Sequence, residues 1–303
     1  MALYKNLSET EWKEKIEFFK QNYSPCRLCP RQCKAEREKD KKGVCSAQKK
    51  LKIASYNLHY GEEPPISGAR GSGTIFFSGC TLKCVFCQNY PISHLFNGEF
   101  YSIEELSKLF LNLQERGAHN INFVSPTPYL YHIVRALRSA GKKGLQIPIV
   151  YNTSGYERSE VVRALNRLVD IYLPDLKYYD NSLSLKFSRV DNYFDNAYFS
   201  LEEMFKQAGE LQMDGEGIAI KGMILRHLIL PGHVENSKKV LKTIAESHFK
   251  HSYLSLMSQY FPAYKAVEIP EINRRLRLDE YAAVKKYALS LDFTNGWFQE
   301  LDV

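Results

Sequence analysis

The chain has 303 residues, 44% of them hydrophobic and 25% charged, with a formal net charge of +7. This suits one large or two small globular domains with a sizeable core and argues against a disordered chain. No apolar run reaches the roughly 18–20 residues of a membrane span and residues 1–6 form no apolar leader, so a cytoplasmic protein is expected.

Residues 8–22 read as a helix, opened by a Ser8–Glu11 capping box and carrying Trp12, Ile16 and Phe19 on one face. Next comes Cys26-Arg27-Leu28-Cys29-Pro30-Arg31-Gln32-Cys33, followed after eleven residues by Cys45. Four thiolates this close can complete a tetrahedral zinc site or hold an iron–sulfur cluster. The charged stretch 34–42 has too little apolar surface to order itself without a metal. Spacing does not separate zinc from a cluster; a second cluster would give an electron entry path. The lysines of residues 39–52 would suit an acidic partner or a solvated surface. Residues 51–60 read as a strand, 61–68 as a turn-rich connector and 74–77 as a short buried strand.

From that last strand leaves Ser78-Gly79-Cys80-Thr81-Leu82-Lys83-Cys84-Val85-Phe86-Cys87-Gln88-Asn89. Thiolates suit iron–sulfur clusters and zinc. A cubane normally takes four thiolates; with Cys80, Cys84 and Cys87 alone, one iron keeps an open position. All seven cysteines lie in the first 87 residues. An odd count in Cys-x-x-Cys spacings argues for metal over disulfides.

Beyond the loop, strands are expected at 120–124, 147–151, 170–173, 218–225 and 253–257. Helices are expected at 102–113, 128–140, 160–168, 181–208 with a break near Asp191, 236–246 and 279–289. Strand–helix alternation implies a parallel sheet with crossover helices, here of six strands counted from Thr74. Sites in β/α barrels sit at the C-terminal strand ends. Polar residues there are Ser125 and Thr127, Asn152 and Ser154, Asp175 and Lys177, and Arg226, with His227, His233, Tyr260 and Lys265 as weaker candidates. Plainer roles stand beside these: a helix cap at Thr127, a turn at Gly155, a surface ion pair at Asp175 and Lys177.

The three-cysteine loop, with Phe86 before its last cysteine, resembles the signature of the radical S-adenosylmethionine (radical SAM) enzymes. That resemblance implies an open six-stranded (β/α)6 partial TIM barrel over residues 69–303, preceded by a cysteine-rich metal-binding extension over residues 1–68. It implies a [4Fe–4S] cluster on Cys80, Cys84 and Cys87 whose open iron binds SAM. Reductive cleavage then yields a 5′-deoxyadenosyl radical that abstracts hydrogen from a substrate. The family's Gly-Gly-Glu strand end is replaced by Ser125-Pro126-Thr127-Pro128, whose Ser125 and Thr127 offer SAM ligands at the matching place. Asn152 and Ser154 match the Thr-Asn-Gly strand end of the glycyl-radical-enzyme activases. Asp175-Leu176-Lys177, and Arg226 ahead of Leu230-Pro231-Gly232, resemble pyruvate formate-lyase activating enzyme. The group related to that enzyme also carries the four-cysteine segment, the His59-to-Pro65 connector and Phe77-Ser78-Gly79-Cys80. The implied oxidoreductase takes electrons from a flavodoxin or ferredoxin and acts on a backbone glycine of a partner enzyme. Radical modification of a small molecule or nucleic acid is a second expectation. A non-enzymatic zinc or iron–sulfur module is a third. No general base stands out.

Overall fold

The computed structural model describes residues 2–301. α1 (Glu9–Tyr23) is capped as expected: Ser8 and Glu11 exchange side-chain-to-backbone hydrogen bonds, and Trp12, Phe19 and Tyr23 are buried. β1 (Leu51–His59) then runs antiparallel to β2 (Ser72–Phe77), with α2 (Pro64–Ser67) in the connector between them. After the three-cysteine loop come the single turn α3 (Tyr90–Ser93) and β3 (Glu99–Tyr101), which pairs antiparallel with β1.

The rest alternates. α4 (Ile103–Glu115) starts at a Ser102–Glu105 capping box and buries Leu106, Leu109, Phe110 and Leu113. It is followed by β4 (Ile121–Val124), α5 (Leu130–Lys142), β5 (Ile149–Thr153), α6 (Ser159–Ala164) and β6 (Ile171–Pro174). α7 (Asn181–Ser188) and α8 (Tyr193–Ala208) are separated by the expected break, with Arg189 left-handed. Last come β7 (Gln212–Met213), β8 (Ala219–Leu228), α9 (Val234–Glu246), β9 (Tyr253–Met257), α10 (Leu278–Ser290) and β10 (Gly296–Phe298).

The sheet order is β10-β9-β8-β6-β5-β4-β2-β1-β3, with β7 on β8. All six expected strands are present and parallel, but β10 adds a seventh parallel strand beyond β9. Strand order follows chain order, so right-handed crossovers put the helices on one face and leave the other as the inside of a partial barrel. Pleat alternation sends every second residue inward. Val150, Ile171, Leu173 and Ile224 meet Ile66 of α2 in a small apolar cluster. The next inward positions along those strands are Asn152, Asp175 and Arg226. A greasy floor therefore carries a polar layer at the C-terminal strand ends.

Residues 2–53 join the same large hydrophobic cluster as the barrel helices, through Tyr4, Trp12, Phe19, Leu28 and Ile53. Among the described residues no helix is long and apolar enough to cross a membrane.

Candidate active site

Cys80, Cys84 and Cys87 line a cavity of about 510 Å³ over the C-terminal strand ends. Ser188 Oγ lies 2.9 Å from Cys84 Sγ and in turn 2.7 Å from the Tyr178 hydroxyl; Ser93 Oγ donates to Cys87 Sγ at 3.1 Å. Burial pushes the Cys84 thiol up to about 12, against the pull of the Lys177 charge. A thiol held there stays protonated near neutral pH unless a metal displaces the proton. The donor set therefore fits a cluster: three thiols facing one cavity, two already met by hydroxyls. Among the described residues no three Cys, His, Asp or Glu side chains converge as a site for a single ion.

Asn152, Ser154, Asp175, Lys177 and Arg226 line the same cavity, as does Ser125, whose φ of 56° is left-handed. Four of them, Asn152, Asp175, Lys177 and Arg226, form one network. Arg226 donates from Nε to Asp175 Oδ1 at 2.8 Å and from its second terminal nitrogen to Asn152 Oδ1 at 2.7 Å. Lys177 Nζ donates to Asp175 Oδ2 at 2.5 Å. Burial alone would raise the Asp175 carboxyl, but the Arg226 and Lys177 charges hold it below its usual value. Asp175 and Lys177 are thus a buried pair at the mouth rather than a surface one.

Glu62 is a member that sequence reasoning missed. It lies in the connector read as turns, yet accepts from Asn122 Nδ2 at 3.0 Å and faces Arg226 at 3.6 Å. Burial pushes its carboxyl up to about 7, with Arg226 opposing and Glu63 adding to the rise. The pairing of β1 with β2 carries it there; only its neighbourhood to Glu63 before two prolines marked it.

Thr127 differs from expectation. It is buried away from the mouth, donates to Glu157 Oε1 at 2.5 Å and lines the cavity of the other four cysteines. The reason is the left-handed turn at Ser125, which carries Thr127 under the strand ends. His227 is fully buried between the Leu176 carbonyl and Ser237. His233 faces Glu271, and the Tyr260 hydroxyl donates to the Ile272 carbonyl. Lys265 lies beside the Tyr264 ring. None of these four lines the mouth cavity.

Glu157 was not singled out either. Its Oε1 accepts from Thr127, Thr153 and Tyr151, while Oε2 is buried without a partner. Burial raises its carboxyl to about 7. The folded chain thus holds this proton to higher pH than the unfolded chain, whose glutamates titrate near about 4.3. The stabilisation is complete below that value and is lost as pH rises through about 7. Urea midpoints at pH 5 and pH 7.5 check this: Glu157→Gln should flatten the decline, and an unchanged slope would refute it.

Gly155 closes the turn after β5 with φ +76°, and a Cβ there would lie 2.2 Å from the Asp175 carbonyl oxygen. Gly155→Ala is expected to cost roughly 2–3 kcal/mol in urea unfolding, from the strained φ and the backbone clash together.

The remaining cysteines, Cys26, Cys29, Cys33 and Cys45, line one small cavity of their own. Its segment docks on the three-cysteine loop. Arg31 donates to the Thr81 carbonyl at 2.6 Å, the Leu82 carbonyl at 3.2 Å and the Arg189 carbonyl at 3.0 Å. Gly79 leaves no room for a Cβ, which would sit 2.2 Å from the Cys45 carbonyl oxygen. On the surface beyond, Lys39 and Lys41 both pair with Glu36 at 2.6 Å, so part of the basic run is neutralised by its own neighbours.

Residues 74–257 match the Radical SAM superfamily, and the chain belongs to it. Membership makes this a SAM-cleaving enzyme, of a superfamily that uses a [4Fe–4S] cluster and SAM. An uncharacterized protein of Methanocaldococcus jannaschii, MJ0674, is 32% identical over 290 residues, covering 91% of this chain and 79% of that protein. The crystal structure of methylornithine synthase (PylB) superposes with a TM-score of 0.47 at 15% identity, over 73% of this chain and 68% of that one.

Proposed function

We propose that Cys80, Cys84 and Cys87 hold the [4Fe–4S] cluster and that Asn152, Ser154, Asp175, Lys177 and Arg226 hold SAM, with Ser125 beside them. The observation behind this reading is that three thiols and a connected polar layer face one cavity. When bound, cluster and SAM supply reductive C–S cleavage and a 5′-deoxyadenosyl radical for hydrogen abstraction from substrate. The chain's residues do the positioning. Arg226 fixes the Asn152 amide and the Asp175 carboxylate in one orientation. Phe76, Leu228 and Met257 give the cavity an apolar wall that limits water. The Ser188 and Ser93 hydroxyls temper the sulfur charge, one lever on cluster potential.

The finer reading is a glycyl radical enzyme activase, fed by a flavodoxin or ferredoxin, with a backbone glycine as substrate. It is supported by the resemblance at Asp175-Leu176-Lys177 and Arg226. A second reading, a small molecule as substrate, is favoured by Glu62, a buried carboxyl at the mouth able to take a cationic or hydroxyl group. The test is anaerobic reconstitution with dithionite and SAM, with and without a glycyl radical enzyme from the same organism. Release of 5′-deoxyadenosine with a glycyl EPR doublet supports the activase. Release without a doublet moves the assignment to the small molecule. Uptake of zinc alone, with no 5′-deoxyadenosine, overturns both.

A further inference from the structure

The three-cysteine loop, Ser78 to Asn89, carries one charged side chain, Lys83, between Cys80 and Cys84. Its φ of 65° is left-handed, as is the 69° of Ser46, the residue after Cys45. Non-glycine residues hold that conformation only where their surroundings impose it. The two turns bring the Lys83 ammonium into the seam between the loop and the N-terminal segment. There Nζ donates to the Ser93 carbonyl at 2.5 Å and to Ser46 Oγ at 3.3 Å. Ser93 is the residue whose hydroxyl donates to Cys87 Sγ at 3.1 Å. One ammonium therefore fixes the backbone of a residue that bonds a cysteine of the mouth.

Those two oxygens satisfy donors of Lys83 but carry no net charge. The side chain is half-buried. Burial works against its charge; the Cys80, Cys45 and Cys87 sulfurs work for it, and no carboxylate stands among its main electrostatic neighbours. A partly desolvated cation needs an anion, and here thiolates fill that place. Net charge and hydrogen bonds to sulfur set the potential of an iron–sulfur cluster. A fixed cation near two of its three ligands favours the state with one more electron. We propose that Lys83 sets the potential of the mouth cluster, by its charge beside Cys80 and Cys87 and by holding Ser93 to Cys87. It is a positioning residue for electron entry. The step concerned moves one electron from a low-potential donor, dithionite in the assay, to the oxidised cluster; no bond forms or breaks and no proton moves. The proposal rests on the reading that Cys80, Cys84 and Cys87 hold the cluster, and not on which metal the other four cysteines take.

The test is an EPR-monitored redox titration of full-length, anaerobically reconstituted protein, following the signal that SAM perturbs. Lys83→Gln keeps an N–H donor for the Ser93 carbonyl and loses the charge. At the wild-type midpoint its ratio of reduced to oxidised cluster should fall about tenfold, a midpoint about 59 mV more negative. Lys83→Met should fall at least as far, and Lys83→Arg, which keeps the charge, should stay near wild type. A change under about twofold in Lys83→Gln, or an equal fall in Lys83→Arg, overturns the proposal and makes Lys83 a structural tie. Failure of both neutral variants to fold counts the same way. Absence of any SAM-sensitive signal in the wild type would instead sink the reading of the mouth.

Discussion

Cys84→Ala should abolish 5′-deoxyadenosine formation, to below about one thousandth of wild type, a barrier increase of about 4 kcal/mol or more. On the proposed assignment the cluster at the mouth would have three thiolates and no spare, with one iron left open for SAM, so the variant would keep only two ligands. Cys84 is also the buried one of the three, with Ser188 Oγ 2.9 Å from its sulfur. Iron quantitation beside liquid-chromatographic assay of 5′-deoxyadenosine separates loss of cluster from loss of chemistry. Wild-type turnover in the variant would move the SAM site away from this loop.

Arg226→Met should lower unfolding stability by about 3–5 kcal/mol, the usual cost of leaving a buried charge unpaired. Asp175 accepts from Arg226 at 2.8 Å, and Glu62 and Glu63 lie within 4.0 Å of the same guanidinium. Without it, among the described residues Lys177 is the one cation left in contact with Asp175. Arg226→Lys should recover only part of the loss, because an ammonium lacks the planar fork that bonds Asp175 and Asn152 together. Urea unfolding at pH 7.5 reads both variants. A loss under about 1 kcal/mol would show the carboxylates to be neutral there, contrary to the low Asp175 value.

What the sequence showed follows how local each signal is. Ligand spacing within twelve residues, and capping boxes at Ser8 and Ser102, are written in adjacent letters. The polar strand ends were legible because barrel topology turns position along a strand into position at the mouth: Asn152, Asp175, Lys177 and Arg226 were found that way. Glu62 was not, since its place depends on an antiparallel pairing that no short pattern announces. Thr127 was misplaced because a single left-handed residue, Ser125, redirects the chain just before it. β10 was missed because Gly296-Trp297-Phe298 is too short to show alternation and pairs only after α10 has brought it to β9.

The grip of Arg31 on the carbonyls of Thr81, Leu82 and Arg189 has a thermodynamic corollary. Whatever orders the chain around Arg31 also orders the loop it holds, and such coupling is reciprocal. Assembly of the two cysteine sets should therefore be cooperative: filling one raises the affinity of the other, and half-loaded protein should be scarce during reconstitution.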